Sequence, residues 1–220
     1  MLVEAKGILF DNDGVLISSI GSVVRSWRKW AAMYDVPNAD AYEVPHGVRA
    51  LEVIQALRPD IDAAAGLKVI EDIELEDVAD LEVLPGVRKL LASLPAERWA
   101  IVTSGTRRLI EGRLAVAKLP LPERLITADD VVNGKPDPEP YRKGAALLGF
   151  ANSDCIVIED APSGVGAGIA AGSRVLAVLG THSAEDLKAA TWVIRSLEEL
   201  KVTEKGGSLW LEFEPVAVGG

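Results

Sequence analysis

Two acidic residues directly follow a short apolar run near the amino terminus, in the segment GILFDNDGVL of residues 7–16. The apolar residues 8–10 predict a strand that is buried on both faces, as strands of a parallel sheet are. Ligands of open α/β sheets bind just beyond the carboxyl ends of such strands, so Asp11 and Asp13 would lie at a binding site. Because side chains alternate along an extended chain, both carboxylates can lean the same way and share one hard cation. A capped turn between a strand and a helix would also explain these residue types, so this segment alone leaves the choice open.

Apolar, strand-like runs alternate with helical stretches over most of the chain. Further strands are predicted at residues 99–102, 124–126, 155–158, 175–178 and 192–194. This alternation predicts an α/β fold, a Rossmann-like parallel sheet with helices on both faces. The end of the chain could form an extra hairpin or an edge strand after Gly206 and Gly207, and the role of residues 203–220 is left open.

A long helical block separates the first strand from its partner. Residues 18–34 carry apolar side chains at helical spacing, the pattern from 46 to 83 remains helical and polar, and no strand is predicted between 17 and 96. Trp27 and Trp30 could pack inside this block or line its closing face, and their spacing favours packing. The expected organisation is therefore a core domain interrupted by a helical domain. The core takes residues 1–16 and 83–220, and the inserted α-helical cap domain takes residues 17–82.

The composition bears on the partners and the cellular location to be expected. A formal net charge of -10 argues against nucleic acid, since phosphate backbones attract surfaces rich in lysine and arginine. No apolar run is as long as a membrane span, and the first residues lack a secretory pattern, so a soluble cytoplasmic protein is expected. The single cysteine, Cys155, lies in an apolar run, where a buried thiol is expected and an internal disulfide cannot form. A monomer is expected, with a dimer left open.

Three more polar clusters follow predicted strands. Residues 103–105, Thr-Ser-Gly, offer hydroxyls and backbone amides that suit a phosphate group, although an ordinary helix cap has the same composition. Lys135, in NGKPDPEPY, is the candidate to neutralise a phosphate or a carboxylate that faces the acidic residues. Glu159 and Asp160 add two acids at the end of another strand.

These clusters occur in the order DNDGVL, VTSG, GKPDPEPY and EDAPSG, and on these motifs the chain resembles the haloacid dehalogenase superfamily of phosphohydrolases. The resemblance spans about residues 6 to 180. Within this superfamily, the chain resembles members with a small helical cap. These are the glycerol-phosphate and sugar-phosphate phosphatases and the β-phosphoglucomutase-like group. The chain differs from the commonest sequence of these motifs at Asn12 and Ala161, and neither difference removes a chemical group that the reaction requires.

The resemblance implies a role for each motif in catalysis. Asp11 would be the nucleophile that forms an aspartyl-phosphate, and Asp13 the general acid that protonates the leaving oxygen and later activates water. Lys135 would offset the negative charge between Asp11 and the phosphoryl oxygens.

The resemblance also implies the binding residues. Mg2+ would be held by the carboxylates of Asp11 and Asp160 and by the main-chain carbonyl of Asp13, with Glu159 in the outer shell. The phosphate-binding set would comprise Asn12, Thr103, Ser104 and Gly105, and which of the two hydroxyls binds phosphate is left open.

The helical insertion, residues 17–82, has the position of the first cap class of this superfamily. Such a cap would close over the site and supply the substrate contacts. Within the segment PHGVRALEVIQALRPD, His46 and Arg49 are the candidates for contact with substrate, and a surface or capping role is the alternative.

The resemblance therefore implies a Mg2+-dependent phosphatase that hydrolyses a small phosphomonoester, with a sugar phosphate or a polyol phosphate as the expected class. A β-phosphoglucomutase-type phosphoryl transfer and a catalytically idle protein that binds phosphorylated metabolites remain alternatives. A dehalogenase is disfavoured, because it would need neither a metal nor the second acid at Asp13.

Overall fold

A computed structural model describes residues 1–45 and 47–217 of the chain. At its centre lies a six-stranded parallel sheet with the order β6-β5-β2-β7-β8-β9. Its strands are β2 (Gly7–Phe10), β5 (Trp99–Val102), β6 (Leu125–Ile126), β7 (Cys155–Glu159), β8 (Arg174–Val178) and β9 (Trp192–Ile194). The predicted α/β class and the predicted strands of the sheet are confirmed.

Helices cover both faces of this sheet. The helices of the chain are α1 (Ile20–Met33), α2 (Ala50–Leu57), α3 (Ala63–Glu76), α4 (Val87–Ser93), α5 (Arg107–Ala117), α6 (Glu139–Leu148) and α7 (Pro162–Ala171). Along β2, Ile8 and Phe10 pack with α4 and α5 on one face, while Leu9 packs with α6 and α7 on the other. Both faces of the central strands are therefore buried, which explains their uninterrupted apolar sequences.

The two ends of the chain meet in a second, antiparallel sheet with the order β1-β11-β10. Its strands are β1 (Leu2–Ala5), β10 (Lys201–Lys205) and β11 (Ser208–Glu212). Gly206 and Gly207 join β10 to β11 with positive φ angles of 64° and 79°, the backbone that a tight hairpin turn requires. The hairpin considered for the end of the chain is thus present, and it buries Leu209 and Leu211 in the main core.

A short antiparallel ribbon connects the helical insertion to the core. It consists of β3 (Ile17–Ser18) and β4 (Glu82–Val83). The prediction of no strand between residues 17 and 96 is therefore wrong. Each strand has only two residues, too few to produce the alternating pattern by which a strand is recognised.

The helical insertion has a hydrophobic cluster of its own, formed by α1, α2, α3 and the adjoining loops. Trp30 is fully buried in it and donates a hydrogen bond from Nε1 to the carbonyl of Gly66 at 2.9 Å. Trp27 packs beside Trp30, with ring centroids 5.6 Å apart, and also lines the pocket described below. Among the described residues, no helix combines the length and the apolar character that crossing a membrane requires.

Shortening the apolar side chain of Leu211 tests whether the terminal hairpin is part of the core. Leu211 is fully buried, so Leu211→Ala should lower the free energy of unfolding by about 2–5 kcal/mol through lost burial and the cavity left behind. The control is Leu121→Ala, at a side chain that is 52% exposed, which should change stability by less than about 0.5 kcal/mol. Urea unfolding measures both variants, and equal midpoints would contradict the placement of the hairpin in the core.

Candidate active site

The polar motifs meet at one edge of the parallel sheet, where β2, β5 and β7 end. Phe10 of β2 pairs with Ile101 of β5 and with Ile158 of β7, so the residues that follow these three strands become neighbours. The structure thereby brings Asp11 and Asp13 together with residues 103–105 and with the Glu159 and Asp160 pair, as the sequence predicts.

Lys135 reaches the centre of this cluster from the loop before α6. Its Nζ donates to Asp11 Oδ1 at 2.7 Å, to Glu159 Oε1 at 2.7 Å and to the carbonyl of Val102 at 3.0 Å, which uses all three of its protons. The side chain is only 1% exposed. Burial alone would lower the pKa of Lys135, but the adjacent carboxylates of Asp11 and Glu159 raise it, so the ammonium stays charged.

Glu159 anchors this lysine through a fully used carboxylate. Its Oε1 also accepts from the Tyr141 hydroxyl at 2.8 Å, and its Oε2 accepts from the backbone N–H groups of the next two residues at 2.9 and 3.1 Å. A Cβ at Gly164 would come within 1.6 Å of Oε1, so only glycine lets the start of α7 approach this carboxylate. The contacts observed for Glu159 therefore orient Lys135 and the end of β7.

Three buried carboxylates at this edge could hold a metal ion. Asp11, Glu159 and Asp160 each place an oxygen within 4.8 Å of the others. Gly14 turns beside them with φ of 81°, and a Cβ there would lie 1.9 Å from Asp160 Oδ2. Burial raises the pKa of Asp11 and of Asp160, and repulsion among the carboxylates adds to both shifts. Hard carboxylate oxygens with an excess of negative charge fit a divalent cation such as Mg2+.

Asp13 faces the pocket above this cluster, with 38% of its side chain exposed. Its Oδ1 accepts from Arg113 Nη1 at 2.7 Å, and its Oδ2 accepts from Asn12 Nδ2 at 3.3 Å. Asn12 itself is fully buried, and its main-chain carbonyl accepts from the N–H groups of Leu16 and Ile17 at 2.8 and 3.1 Å. Asn12 thus shapes the turn that carries Asp11 and Asp13.

The two hydroxyls after β5 have different partners. Thr103 is buried, and its Oγ1 accepts from the backbone N–H of Gly105 at 3.1 Å, which leaves the hydroxyl proton for a ligand. Ser104 donates its hydroxyl to the carbonyl of Gly47, in the helical insertion, at 2.9 Å. All three residues after β5 line the pocket.

The pocket lies between the sheet edge and the helical insertion, and its two sides differ in polarity. The core supplies polar and charged groups from Asp11, Asp13, residues 103–105, Arg113 and Asp160. The insertion supplies mostly apolar surface, together with one carboxylate. The residues on this side are Ser19, Ile20, Val23, Trp27, Val44, Pro45, Gly47, Val48, Ala50 and Glu74.

The two substrate-contact candidates of the insertion are placed differently. His46 lies outside the described residues, while its neighbours Pro45 and Gly47 line the pocket. Arg49 donates to the carbonyls of Val131 and Val132 at 3.2 and 2.9 Å and also pairs with Glu52. The structure therefore places the Arg49 side chain against the core loop of residues 131–132, and Arg49 is not among the residues that line the pocket.

Sequence reasoning missed Arg113 and Glu74, which meet in the pocket. Arg113 on α5 is 4% exposed, Glu74 on α3 is 7% exposed, and Arg113 Nη2 donates to Glu74 Oε2 at 3.2 Å. Burial raises the pKa of Glu74 to about 7, although the charge of Arg113 opposes this shift. The available signal was a charge on an apolar helix face, since Arg113 follows Leu109 by four residues and precedes Ala117 by four.

Two further groups were also missed. The Tyr141 hydroxyl supports Glu159, and the Thr181 hydroxyl hydrogen-bonds the carboxylate of Asp160. Tyr141 is fully buried in the core, so its sequence position indicates packing and gives no sign of a polar contact.

The chain is similar to known proteins in both sequence and fold. The chain matches the model of the haloacid dehalogenase-like hydrolase family over residues 5–172. Hexitol phosphatase A of Escherichia coli (strain K12) is 38% identical over 92% of this chain and 96% of its own length. Glycerol-1-phosphate phosphohydrolase 1 of Saccharomyces cerevisiae is 35% identical over 92% of this chain and 86% of its own length. The crystal structure of a hydrolase from Pseudomonas syringae has the same fold, with a TM-score of 0.78, 24% identity, and coverage of 87% of this chain and 94% of that one.

The raised pKa values of Asp11 and Asp160 predict that metal binding depends on pH. At a pH below the raised pKa values, the two carboxyls carry protons that a cation must displace. Mg2+ should therefore bind more tightly at about pH 8 than at about pH 6, and its binding should release protons. Calorimetric titration in two buffers of different ionisation enthalpy measures both effects. Asp160→Asn should weaken binding, and an affinity that is equal at the two pH values would contradict the prediction.

Proposed function

Since this chain belongs to the haloacid dehalogenase-like hydrolase family, we propose that it is a Mg2+-dependent phosphatase of a small sugar phosphate or polyol phosphate. One observation carries the proposal. Asp11, its lysine partner Lys135 and the metal-ligand candidate Asp160 converge at the polar floor of a pocket that the helical insertion covers.

Asp11 is the proposed nucleophile and Asp13 the proposed acid and base. An oxygen of Asp11 bonds to phosphorus while the bond to the ester oxygen breaks, and Asp13 gives that leaving oxygen its proton. Asp13 then takes a proton from the water that attacks the phosphorus of the aspartyl-phosphate. That attack releases inorganic phosphate and restores the Asp11 carboxylate.

Lys135 and Thr103 are the proposed stabilisers of the phosphoryl group. Lys135 holds Asp11 Oδ1 at 2.7 Å, which orients this carboxylate and reduces its repulsion of the phosphoryl oxygens. Thr103 is favoured over Ser104 as the hydroxyl donor, because the Ser104 proton is already donated to Gly47. Gly105 and the buried Asn12 complete the proposed phosphate-binding turn.

The proposed metal ligands are the carboxylates of Asp11 and Asp160 and the main-chain carbonyl of Asp13. Bound there, Mg2+ would neutralise charge on the phosphoryl group and help to hold it in line with Asp11. Glu159 is the proposed outer-shell partner, since its observed contacts already hold Lys135 in place.

The proposed substrate class rests on the pocket and on the relatives. The helical insertion, proposed as a cap domain of residues 17–82, covers the site with mostly apolar surface, which suits a small organic group better than a polymer. The two relatives are named for hexitol and glycerol-1-phosphate substrates. His46, beside the pocket-lining Gly47, is the proposed substrate contact of the insertion, whereas the observed contacts of Arg49 favour a role in attaching the insertion to the core.

We also propose a cellular location and an oligomeric state for the enzyme. A cytoplasmic location is supported by the single cysteine, Cys155, which is buried and cannot form an internal disulfide. The proposed state is a monomer that binds only a small phosphorylated metabolite and its metal.

Replacing the nucleophile tests the mechanism. Asp11→Asn should lower phosphate release by more than about 10^4-fold, because the amide cannot form the acyl-phosphate. The assay measures release from hexitol, glycerol and sugar phosphates and from an aryl phosphate, with and without Mg2+. Asp40→Asn, at an exposed carboxylate of the insertion, is the matched control and should retain activity. Full activity of Asp11→Asn on the aryl ester would refute the assignment.

Analysis of the organic products of the same reactions, beside phosphate release, distinguishes the alternatives. Phosphate that is released in step with substrate loss supports hydrolysis. An isomerised sugar phosphate without phosphate release would indicate a mutase, and no metal-dependent turnover of any ester would indicate a binding protein.

A further inference from the structure

Arg113 occupies the pocket beside Asp13, outside the four motifs that the mechanism uses. Its Nη1 donates to Asp13 Oδ1 at 2.7 Å and its Nη2 donates to Glu74 Oε2 at 3.2 Å. A guanidinium is planar and holds its donors in a fixed fork, so these two contacts fix the direction of the Asp13 carboxylate relative to Glu74.

Asp13 needs such a support, because it stands on a turn and is partly exposed. Among the described residues, the other hydrogen bond to its carboxylate is the longer one from Asn12, at 3.3 Å. A general acid must come within about 2.6–3.2 Å of the atom that it protonates, or reach it through one water. With Oδ1 held by Arg113, Oδ2 accepts only the longer contact from Asn12 among the described residues, so it keeps a lone pair for proton exchange.

The second partner of Arg113 comes from the other side of the pocket. Glu74 lies on α3 of the helical insertion, while Arg113 lies on α5 of the core. In the structure the insertion covers the sheet edge, and in this arrangement Glu74 of the insertion contacts Arg113 of the core. The order Asp13, Arg113, Glu74 places one cation between two carboxylates.

We propose that Arg113 is a positioning residue, which holds the acid and base Asp13 and is itself held by Glu74 of the insertion. When the insertion covers the site, Glu74 holds Arg113, and Arg113 thereby aligns the proton donor Asp13. The inference rests on the proposed function, since Asp13 must be aligned only if a proton is delivered to a leaving oxygen.

The dependence of the rate on the leaving group tests this role. An alkyl phosphate needs a proton on its leaving oxygen, whereas p-nitrophenyl phosphate releases a stable anion. Arg113→Met should therefore lower kcat/KM by about 100-fold for the alkyl ester and by less than about threefold for the aryl ester. Arg113→Lys should recover part of the loss, and Glu74→Gln should give a smaller loss in the same direction.

Arg108 offers a matched control on the same helix. It also connects α5 to α3, through Glu71 at 3.2 Å and Asp72 at 2.5 Å, but it has no contact with Asp13 among its observed partners. Arg108→Met should therefore change kcat/KM for the two esters by the same factor. This control separates attachment of the insertion from alignment of the acid.

A double variant tests whether Arg113 acts through Asp13. If it does, Arg113→Met should cause no further loss on the alkyl ester in an Asp13→Asn background, because the group that it aligns is gone. Thermal unfolding of every variant checks that the fold is intact. The volume-conserving Arg113→Lys and Glu74→Gln replace Arg113→Met if that variant unfolds.

The outcomes separate the inference from the proposed function. Equal losses on both esters, a raised KM alone, or a full additional loss in the Asp13→Asn background would each overturn the role of Arg113 while hydrolysis stands. Failure of the unsubstituted protein to release phosphate from any ester would overturn the proposed function and this inference together.

Discussion

The buried contact between Lys135 and two carboxylates is the interaction on which the rest of the site depends. Lys135 joins Asp11, directly after β2, to Glu159 at the end of β7, so one ammonium holds together two strand ends that would otherwise repel each other. A buried charge is tolerated only when it is paired and hydrogen-bonded, and here the carbonyl of Val102 takes the remaining proton. The apolar parallel strands therefore end in a charged cluster that keeps a fixed geometry.

The sequence predicts those parts of the molecule that residue type and order determine locally. The apolar runs of β2, β5 and β7 are visible because both faces of these strands are buried, and the acids and hydroxyls that follow them must then share one edge. The ribbon of β3 and β4 could not be predicted, since two-residue strands carry no pattern. Arg113 could not be matched to Asp13, because their contact joins residues 100 positions apart and only the packing of α5 brings them together.

The two sides of the pocket divide the chemistry between the core and the insertion. The core supplies the groups that we propose to act on phosphorus, and these groups can serve any phosphomonoester. The insertion supplies apolar surface such as Val23, Trp27 and Val48, which in the proposed function would contact the part of the substrate that differs from one ester to another. Glu74 is the exception, because it carries a charge from the insertion to the core and thereby links the covering of the pocket to the reacting groups.

The excess of negative charge at this site bears on the binding of both the substrate and the metal. Five carboxylates, those of Asp11, Asp13, Glu74, Glu159 and Asp160, meet two cations, Lys135 and Arg113, at this edge of the sheet. A phosphomonoester adds further negative charge, so without a metal its approach would be repelled. A divalent cation held by Asp11 and Asp160 would offset two of the three excess negative charges, at the carboxylates whose burial raises their pKa. Binding of the metal should therefore come before tight binding of the substrate.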